Sequence, residues 1–184
     1  SPSSASWGTT GIASLAFNRP ITGVVGWRTN SVATEPAYAA HMTRMNGYTL
    51  KPGIPSVEDY LRLRIETGLS PHAQAAAQAG LPNSIVSSIV EFEDEVIGMG
   101  RVVGDGGLFF QVVDMAVQPA HQGKGVGKAI MHDLMARLAR TLRAPAYVSL
   151  IADGEASHLY ARNGFASVAP NSQGMARWLD PVTD

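Results

Sequence analysis

The stretch "HQGKGVGKAIMHDL", residues 121–134, joins a glycine-rich turn directly to a segment with helical periodicity. Its glycines and lysines are Gly123, Lys124, Gly125, Gly127 and Lys128. Such a turn leaves backbone N–H groups without partners at a helix N-terminus, where the helix dipole also favours negative charge. The glycines allow tight curvature and close approach of a ligand, and the lysines add positive charge at the rim. The stretch therefore predicts a phosphate-binding loop.

Two common phosphate-binding motifs do not fit this loop. The Walker pattern requires a glycine at the position of Gln122 and a serine or threonine at the position of Ala129. The dinucleotide-binding pattern, if it began at Gly123, would require a glycine at the position of Lys128. The loop is therefore neither a P-loop nor a Rossmann fingerprint.

The segments on either side of the loop alternate between strand and helix patterns. Strands are predicted at 47–53, 84–92, 95–103, 109–117, 146–152, 165–169 and 175–179, and helices at 57–68, 72–79, 129–142 and 155–163. Ser56 is predicted to cap the first of these helices. The three strands from 84 to 117 follow one another through short turns, which predicts an antiparallel meander. The predicted order is β, α, α, β, β, β, α, β, α, β, β.

Composition limits the functions that the chain can have. Its 184 residues, 45% hydrophobic and 16% charged, suffice for one sizeable core. A net charge of −1 without a Lys/Arg run gives no reason to expect a nucleic-acid or anionic-membrane partner. The chain has no cysteine, and its five histidines form no pair at metal-ligand spacing, so we expect no metal site. No apolar run reaches the about 18–20 residues of a membrane span, which predicts a soluble chain.

The first 46 residues differ from the remainder. From Ser1 to His41 the formal charges are limited to Arg19, Arg28 and Glu35, among many small residues without periodicity. We therefore predict an N-terminal extension at 1–46 and one catalytic domain at 47–184. The extension could be vector-derived, with the natural start at residue 42 or 45, which favours a cytoplasmic protein. The alternative is a natural leader of the mitochondrial type.

Two motifs carry a resemblance to a known family. The run from Gln122 to Gly127 resembles the Q/R-x-x-G-x-G/A signature of the GCN5-related N-acetyltransferases (GNAT), and the run from Leu159 to Phe165 resembles their "LYxxxGF" closure. The similarity covers roughly residues 47–179, and the predicted order of strands and helices also matches. The resemblance implies an α/β (α+β) fold: a mixed, mostly antiparallel sheet with splayed central strands, flanked by about four helices.

The same resemblance implies acetyl-CoA as cofactor and assigns roles to individual residues. Backbone groups of Met115, Ala116 and Val117 would bind the pantetheine arm as an added strand, and Asp153 would lie beside that arm. The pyrophosphate would be bound by Gln122, Gly123, Lys124, Gly125, Val126, Gly127 and Lys128. Tyr160 would be the general acid that protonates the departing thiolate. The acetyl group would pass directly to an amine, without a covalent enzyme intermediate.

Two residues depart from the family's pattern. Gln111 stands where histone-modifying members carry a catalytic glutamate, so another base is required, and Asp114 is the nearest strand carboxylate that could serve, directly or through water. Asp153 stands where many members have an asparagine. The Gln111 departure makes a small-molecule primary amine the favoured acceptor, with a protein N-terminus or lysine and a non-catalytic acyl-CoA sensor as alternatives.

The acceptor itself is left open by the sequence. In this family the segment 56–82 would form the rim of the acceptor cleft, and its side chains show no single charge preference. Polyamines, arylalkylamines, amino sugars, amino acids and protein N-termini all stay compatible with it. A homodimer is also compatible with the resemblance.

Overall fold

The computed structural model describes residues 47–152 and 156–181. Five strands form one sheet in the order β1-β2-β3-β4-β5, and four α-helices accompany it. The strands are β1 (Tyr48–Pro52), β2 (Val86–Phe92), β3 (Glu95–Gly104), β4 (Phe109–Val117) and β5 (Tyr147–Leu150). The helices are α1 (Val57–Glu66), α2 (Gln74–Gly80), α3 (Val126–Thr141) and α4 (Ser157–Ala161). Single 3-10 turns lie at Leu81–Asn83 and Pro119–His121.

The sheet is mixed and mostly antiparallel, as predicted. Strands β1 to β4 pair antiparallel with their neighbours, and β5 pairs parallel with β4. The meander of β2, β3 and β4 is confirmed, and the tight turn at Glu93 and Asp94 uses two residues with positive φ. Ser56 caps α1 as predicted, since its Oγ accepts a 3.0 Å hydrogen bond from the Asp59 N–H.

The sheet is covered on both faces. Helix α3 contributes a stripe of buried side chains, which includes Val126, Ile130, Leu134 and Leu138, to the larger core cluster. Helices α1 and α2 cover the opposite face through a second cluster, which includes Leu63 and Ala77. Because both faces are covered, the middle of β3 is buried without the alternation expected of a half-exposed strand.

The two central strands separate halfway along β4. Residues Phe109 to Val112 pair with Tyr147 to Leu150 of β5, but β4 continues for five more residues past the end of that pairing. Asp114 lies at the point of separation, has a positive φ of 56°, and coincides with a shift of register against β3. The predicted splay of the central strands is therefore confirmed, and among the described residues one side of the end of β4 has no strand partner.

The two closing strands predicted at 165–169 and 175–179 are wrong. After α4 the described residues, up to 181, form no helix or strand. Met175, Trp178 and Leu179 are 91%, 76% and 75% exposed, so no buried face forms there. Apolar and β-branched residues suggest a strand, but a strand also needs a pairing partner, and these segments have none among the described residues. The sheet consequently has five strands instead of seven.

Residues 1–46 lie outside the described residues, so the predicted extension and domain boundary stay predictions. Within the described part of the chain, no helix is both long and apolar enough to cross a lipid bilayer. The longest helix there, α3, has 16 residues.

Candidate active site

The glycine loop lies between the free end of β4 and the start of α3. Gly123 and Gly125 adopt positive φ angles of 71° and 86°, a region in which residues with a Cβ are strained. A Cβ built at either glycine would have no other atom within 4 Å. Glycine is therefore required here by backbone conformation, and the space above the loop is open.

The start of α3 presents backbone donors to that open space. The first helical hydrogen bond runs from the Ala129 N–H to the Gly125 carbonyl at 3.0 Å, so the N–H groups of residues 126–128 precede the helical ladder. Gly125 supplies no capping side chain. Lys124 and Lys128 are exposed at the same end. Unpaired donors, the helix dipole and two cations together fit a phosphate group.

The remaining residues of the loop contribute in other ways. The side chain of Val126 is buried in the core beneath the sheet, so only its backbone faces the loop. Gln122 donates from Nε2 to the Val117 carbonyl at 2.9 Å, which ties the loop to the end of β4. A Cβ at Gly127 would lie 3.6 Å from Leu159 Cδ2 and 3.8 Å from Val117 Cγ2, so α4 packs close to the first turn of α3. The two sequence motifs are therefore neighbours in space.

The end of β4 offers a free backbone edge beside the loop. The Gln118 N–H donates to the Ile97 carbonyl of β3 at 2.8 Å, and backbone groups along a strand point alternately to either side. The polar backbone groups of Ala116, opposite Met99, therefore face β3, while those of Met115 and Val117 face away from it. The Val117 carbonyl is used by Gln122, so the Val117 N–H and both groups of Met115 are directed to the open side.

Tyr160 is buried on α4 and packs against the core cluster beneath α3. Its ring makes an edge contact with Phe165 at a centroid distance of 6.4 Å, and its carbonyl accepts from the Phe165 N–H at 3.2 Å. Gly164, with a φ of 86°, makes the turn that brings Phe165 back. This explains the spacing of the second motif. Asp153 lies outside the described residues.

Asp114 is held by two arginines. Its Oδ1 accepts from Nη1 of Arg64 in a very short contact and, at 3.4 Å, from the Tyr60 hydroxyl. Its Oδ2 accepts from Nε of Arg101 at 2.7 Å. The side chains of Arg64, Arg101 and Asp114 are only 8%, 10% and 7% exposed. Both carboxylate oxygens therefore already accept hydrogen bonds from cations in a buried cluster, an arrangement typical of a structural ion pair.

The arginines of this cluster are themselves fixed. Arg64 donates from Nε to the Ser70 carbonyl at 2.6 Å, and Arg101 donates from Nη1 to the Ser84 hydroxyl at 2.9 Å. Both guanidinium groups lie over the Tyr60 ring, at 5.5 and 5.7 Å from its centroid. The cluster thus ties α1, β3 and β4 together.

A cavity of about 170 Å³ opens beside this cluster, under α1 and α2. Its lining consists of Tyr60, His72, Ala76, Ala77, Gly80, Leu81 and Arg101. The His72 ring is stacked at 6.3 Å from the Tyr60 ring and meets Trp178 edge-on at 5.8 Å. Burial and the charges of Arg64 and Arg101 lower the pKa of His72 below its ordinary value. Burial and the Asp114 charge raise the pKa of Tyr60, so its hydroxyl stays protonated.

Sequence reasoning missed the arginine cluster. The sequence does not show which residue Arg101 pairs with, because that partner is thirteen residues away on the next strand. The one available signal was charge itself, since an arginine in the buried run "GMGRVVG" must find an anion. Across the described residues, no group of three or more potential ligands is positioned for a metal ion.

Comparisons with known proteins show the family and the fold. The model of the acetyltransferase (GNAT) domain family matches residues 84–167. A crystal structure of a probable acetyltransferase of unknown function from meticillin-resistant Staphylococcus aureus is 42% identical, covers 72% of this chain and 99% of that one, and superposes with a TM-score of 0.69. A GNAT-family acetyltransferase from Streptococcus pneumoniae is 26% identical over 72% of this chain and 98% of its own, with a TM-score of 0.57.

A curated relative matches over a shorter span. An uncharacterized N-acetyltransferase from Porphyra purpurea is 27% identical over 96 residues, and the chain spans about half of that relative's length, 54%. The S. aureus likeness, in contrast, extends over nearly the whole of the compared chain. On that extent of identity, together with the match of the family model, the chain belongs to the GCN5-related N-acetyltransferase (GNAT) superfamily.

Proposed function

We propose that the protein transfers an acetyl group from acetyl-CoA directly to a primary amine of a small molecule. The observation that carries the proposal is the pairing of an anion-binding helix start with a free strand edge. The N–H groups of residues 126–128 suit a pyrophosphate, and the open side of Met115 and Val117 suits the amides of a pantetheine arm. Lys124 and Lys128 would add charge to the pyrophosphate site.

The proposed reaction balances without a covalent enzyme intermediate. The neutral amine of the acceptor attacks the thioester carbonyl, the C–N bond forms, and the C–S bond breaks. The sulfur leaves as a thiolate and takes a proton from the hydroxyl of Tyr160, while the nitrogen loses one proton to a base or to water; exchange with solvent then returns one proton to the Tyr160 phenolate and leaves no net proton change. The absence of cysteine is consistent with direct transfer.

Two groups of the site could remove the proton from the amine, Asp114 and His72. Asp114 was predicted from its place on β4, but both of its oxygens are occupied by guanidinium groups, which favours a positioning role. His72 lines the adjacent cavity, and its lowered pKa keeps the imidazole neutral at pH 7, when it can accept a proton. We assign proton removal to His72, directly or through one water.

The first test is binding of acetyl-CoA, measured as a shift of the melting temperature. Saturation to about 100 times Kd adds about 2.7 kcal/mol of stability, which raises Tm by about 5–10 °C for a domain of this size. Gly125→Asp places a carboxylate at the predicted phosphate position and should abolish the shift. Gly106→Asp is the matched control, because Gly106 has a similar φ of 81° with equally open space and lies at the other end of β4.

Cofactor binding is contradicted if acetyl-CoA does not raise the Tm of wild type. The predicted phosphate position is contradicted if acetyl-CoA raises the Tm of Gly125→Asp as much as that of wild type. Turnover is then measured as release of free thiol with a panel of amines. Tyr160→Phe should lower kcat by about 10²- to 10⁴-fold while leaving the acetyl-CoA shift intact, as expected for loss of a general acid. Unchanged kcat in this variant would remove Tyr160 from the reaction.

The alternative is a non-catalytic acyl-CoA sensor. The observation that favours it is Gln111, an amide in the position of the family's glutamate, together with the blocked oxygens of Asp114. A sensor would show the same thermal shift but no thiol release with any amine. The two assays together therefore decide between an enzyme and a sensor.

A further inference from the structure

We propose that the acetyl acceptor carries an anionic group, a carboxylate or a phosphate, that binds to Arg101 in the cavity under α1 and α2, beside the Arg64–Asp114 pair. This inference rests on the proposed function and narrows it to one substrate class.

The arginine cluster carries one positive charge in excess. Two guanidinium groups, of Arg64 and Arg101, share the single carboxylate of Asp114, and all three side chains are about nine-tenths buried. The uncharged Tyr60 supplies only a hydroxyl and a ring face. A buried charge without a counterion is costly, so the cluster is electrostatically incomplete until an anion approaches it.

Each arginine also keeps unused donors. A guanidinium has five N–H donors, and those of Nε and Nη1 are engaged in both residues. The Nη2 groups of Arg64 and Arg101 have no hydrogen-bond acceptor among the described residues. Every side-chain nitrogen that is fully buried in the described part of the chain does have a hydrogen-bond partner. The two Nη2 groups must therefore be reachable by solvent or ligand. Fork-shaped donors of this kind match the oxygens of carboxylates and phosphates.

The cavity gives such a ligand access. Arg101 is part of its wall, and its volume of about 170 Å³ accommodates an anionic group with a few attached carbon atoms. The acidic side chains Asp59, Glu66 and Glu95 do not line the cavity, because they pair with Arg62 at the exposed surface. The charges that act on His72, a second wall residue, are those of Arg64, Asp114 and Arg101. The cavity therefore has a positive potential.

The location of the cavity ties it to acetyl transfer. Asp114, which holds both arginines, immediately precedes Met115, whose backbone groups face the open edge proposed for the pantetheine arm. The proposal therefore requires an acceptor that is anchored by its anion at Arg101 and reaches with its amine toward that edge. His72, the proposed base, lines the same cavity.

The test compares acceptors that differ only in the anionic group, using the wild-type full chain and acetyl-CoA. Phenylalanine is paired with phenethylamine, and glucosamine 6-phosphate with glucosamine, so the two pairs distinguish a carboxylate from a phosphate. We expect kcat/KM to be about 10- to 100-fold higher for the anionic member of at least one pair, the ratio expected for charged hydrogen bonds. Equal or higher kcat/KM for the neutral member of both pairs would overturn the inference.

Variants test whether Arg101 is responsible for the preference for the anionic acceptor. Arg101→Gln should reduce the ratio of kcat/KM within the favoured pair to near one, and Arg101→Lys should restore part of it. Arg62→Gln is the control, since Arg62 lies in the exposed ion-pair network and should leave the ratio unchanged. If Arg101→Gln does not fold, Arg101→Lys and the wild-type ratio still decide the question.

A binding measurement separates this inference from the proposed function. Inorganic phosphate and benzoate at 10 mM, against sodium chloride of equal ionic strength, are tested for a Tm increase in wild type and in Arg101→Gln. Acetylation of neutral amines without an anion preference would refute the inference and keep the function. A Tm increase confined to wild type, with no acetyl transfer to any amine, would refute the function and keep the anion site.

Discussion

Replacement of Asp114 by asparagine tests the central role of the arginine cluster in stability. Asparagine has the same shape as aspartate but carries no charge, so it leaves Arg64 and Arg101 buried without a counterion. The backbone adds no further penalty, because residue 114 has a φ of 56° and asparagine tolerates this left-handed region well. The substitution therefore isolates the electrostatic contribution of one carboxylate.

The expected loss follows from the burial of the cluster. Removing one partner of a buried ion pair costs about 3–5 kcal/mol, a large part of the about 5–15 kcal/mol by which a domain is stable. With a urea m-value of about 2 kcal/mol/M, the midpoint of unfolding should fall by about 1.5–2.5 M. Because the two arginines would repel each other once the carboxylate is neutralised, we expect the higher part of this range.

The assay is urea unfolding of the full chain at pH 7, followed by fluorescence and far-UV circular dichroism. Glu91→Gln is the matched control: it makes the same acid-to-amide change in the half-exposed pair with Lys51 and should cost less than about 1 kcal/mol. If Asp114→Asn lowers the midpoint no more than Glu91→Gln, the cluster does not stabilise the fold and the reasoning is refuted.

Two further predictions concern packing and proton transfer. In urea unfolding, Gly100→Ala should lower the free energy of unfolding by about 1–3 kcal/mol, because the new Cβ would lie 2.6 Å from both Ile130 Cγ2 and Met115 Sδ. The control is Gly80→Ala, which has open space around the new Cβ and should not be destabilising. The lowered pKa of His72 places the acid limb of the pH profile of kcat/KM below pH 6.5, where activity is lost as pH falls because the imidazole becomes protonated. His72→Gln should remove this limb, and an unchanged pH profile in the variant would exclude His72 as the base.

The parts of the fold that depend on local pattern could be predicted from the sequence. The four-residue recurrence in α3, the cap at Ser56 and the turn at Glu93 and Asp94 are all set by neighbouring residues, and all three are observed. The predicted bounds of β4 match the structure because Pro119 and the glycine turn limit the strand at both ends. The closing strands failed because strand formation there depends on a distant partner, which no local pattern specifies.

The bulge at Asp114 explains why the proposed cofactor site was visible in the sequence and the proposed acceptor site was not. At this residue β4 leaves β5, so its backbone becomes available on one side while the Asp114 carboxylate meets arginines on the other. The proposed cofactor site uses the free backbone of β4 and the glycine loop beside it, and the residues of that loop are contiguous in the sequence. The side-chain function needs Arg64 from α1 and Arg101 from β3, which the fold alone brings together. The proposed acceptor site thus depends on long-range contacts, which can change while the glycine-loop motif stays the same.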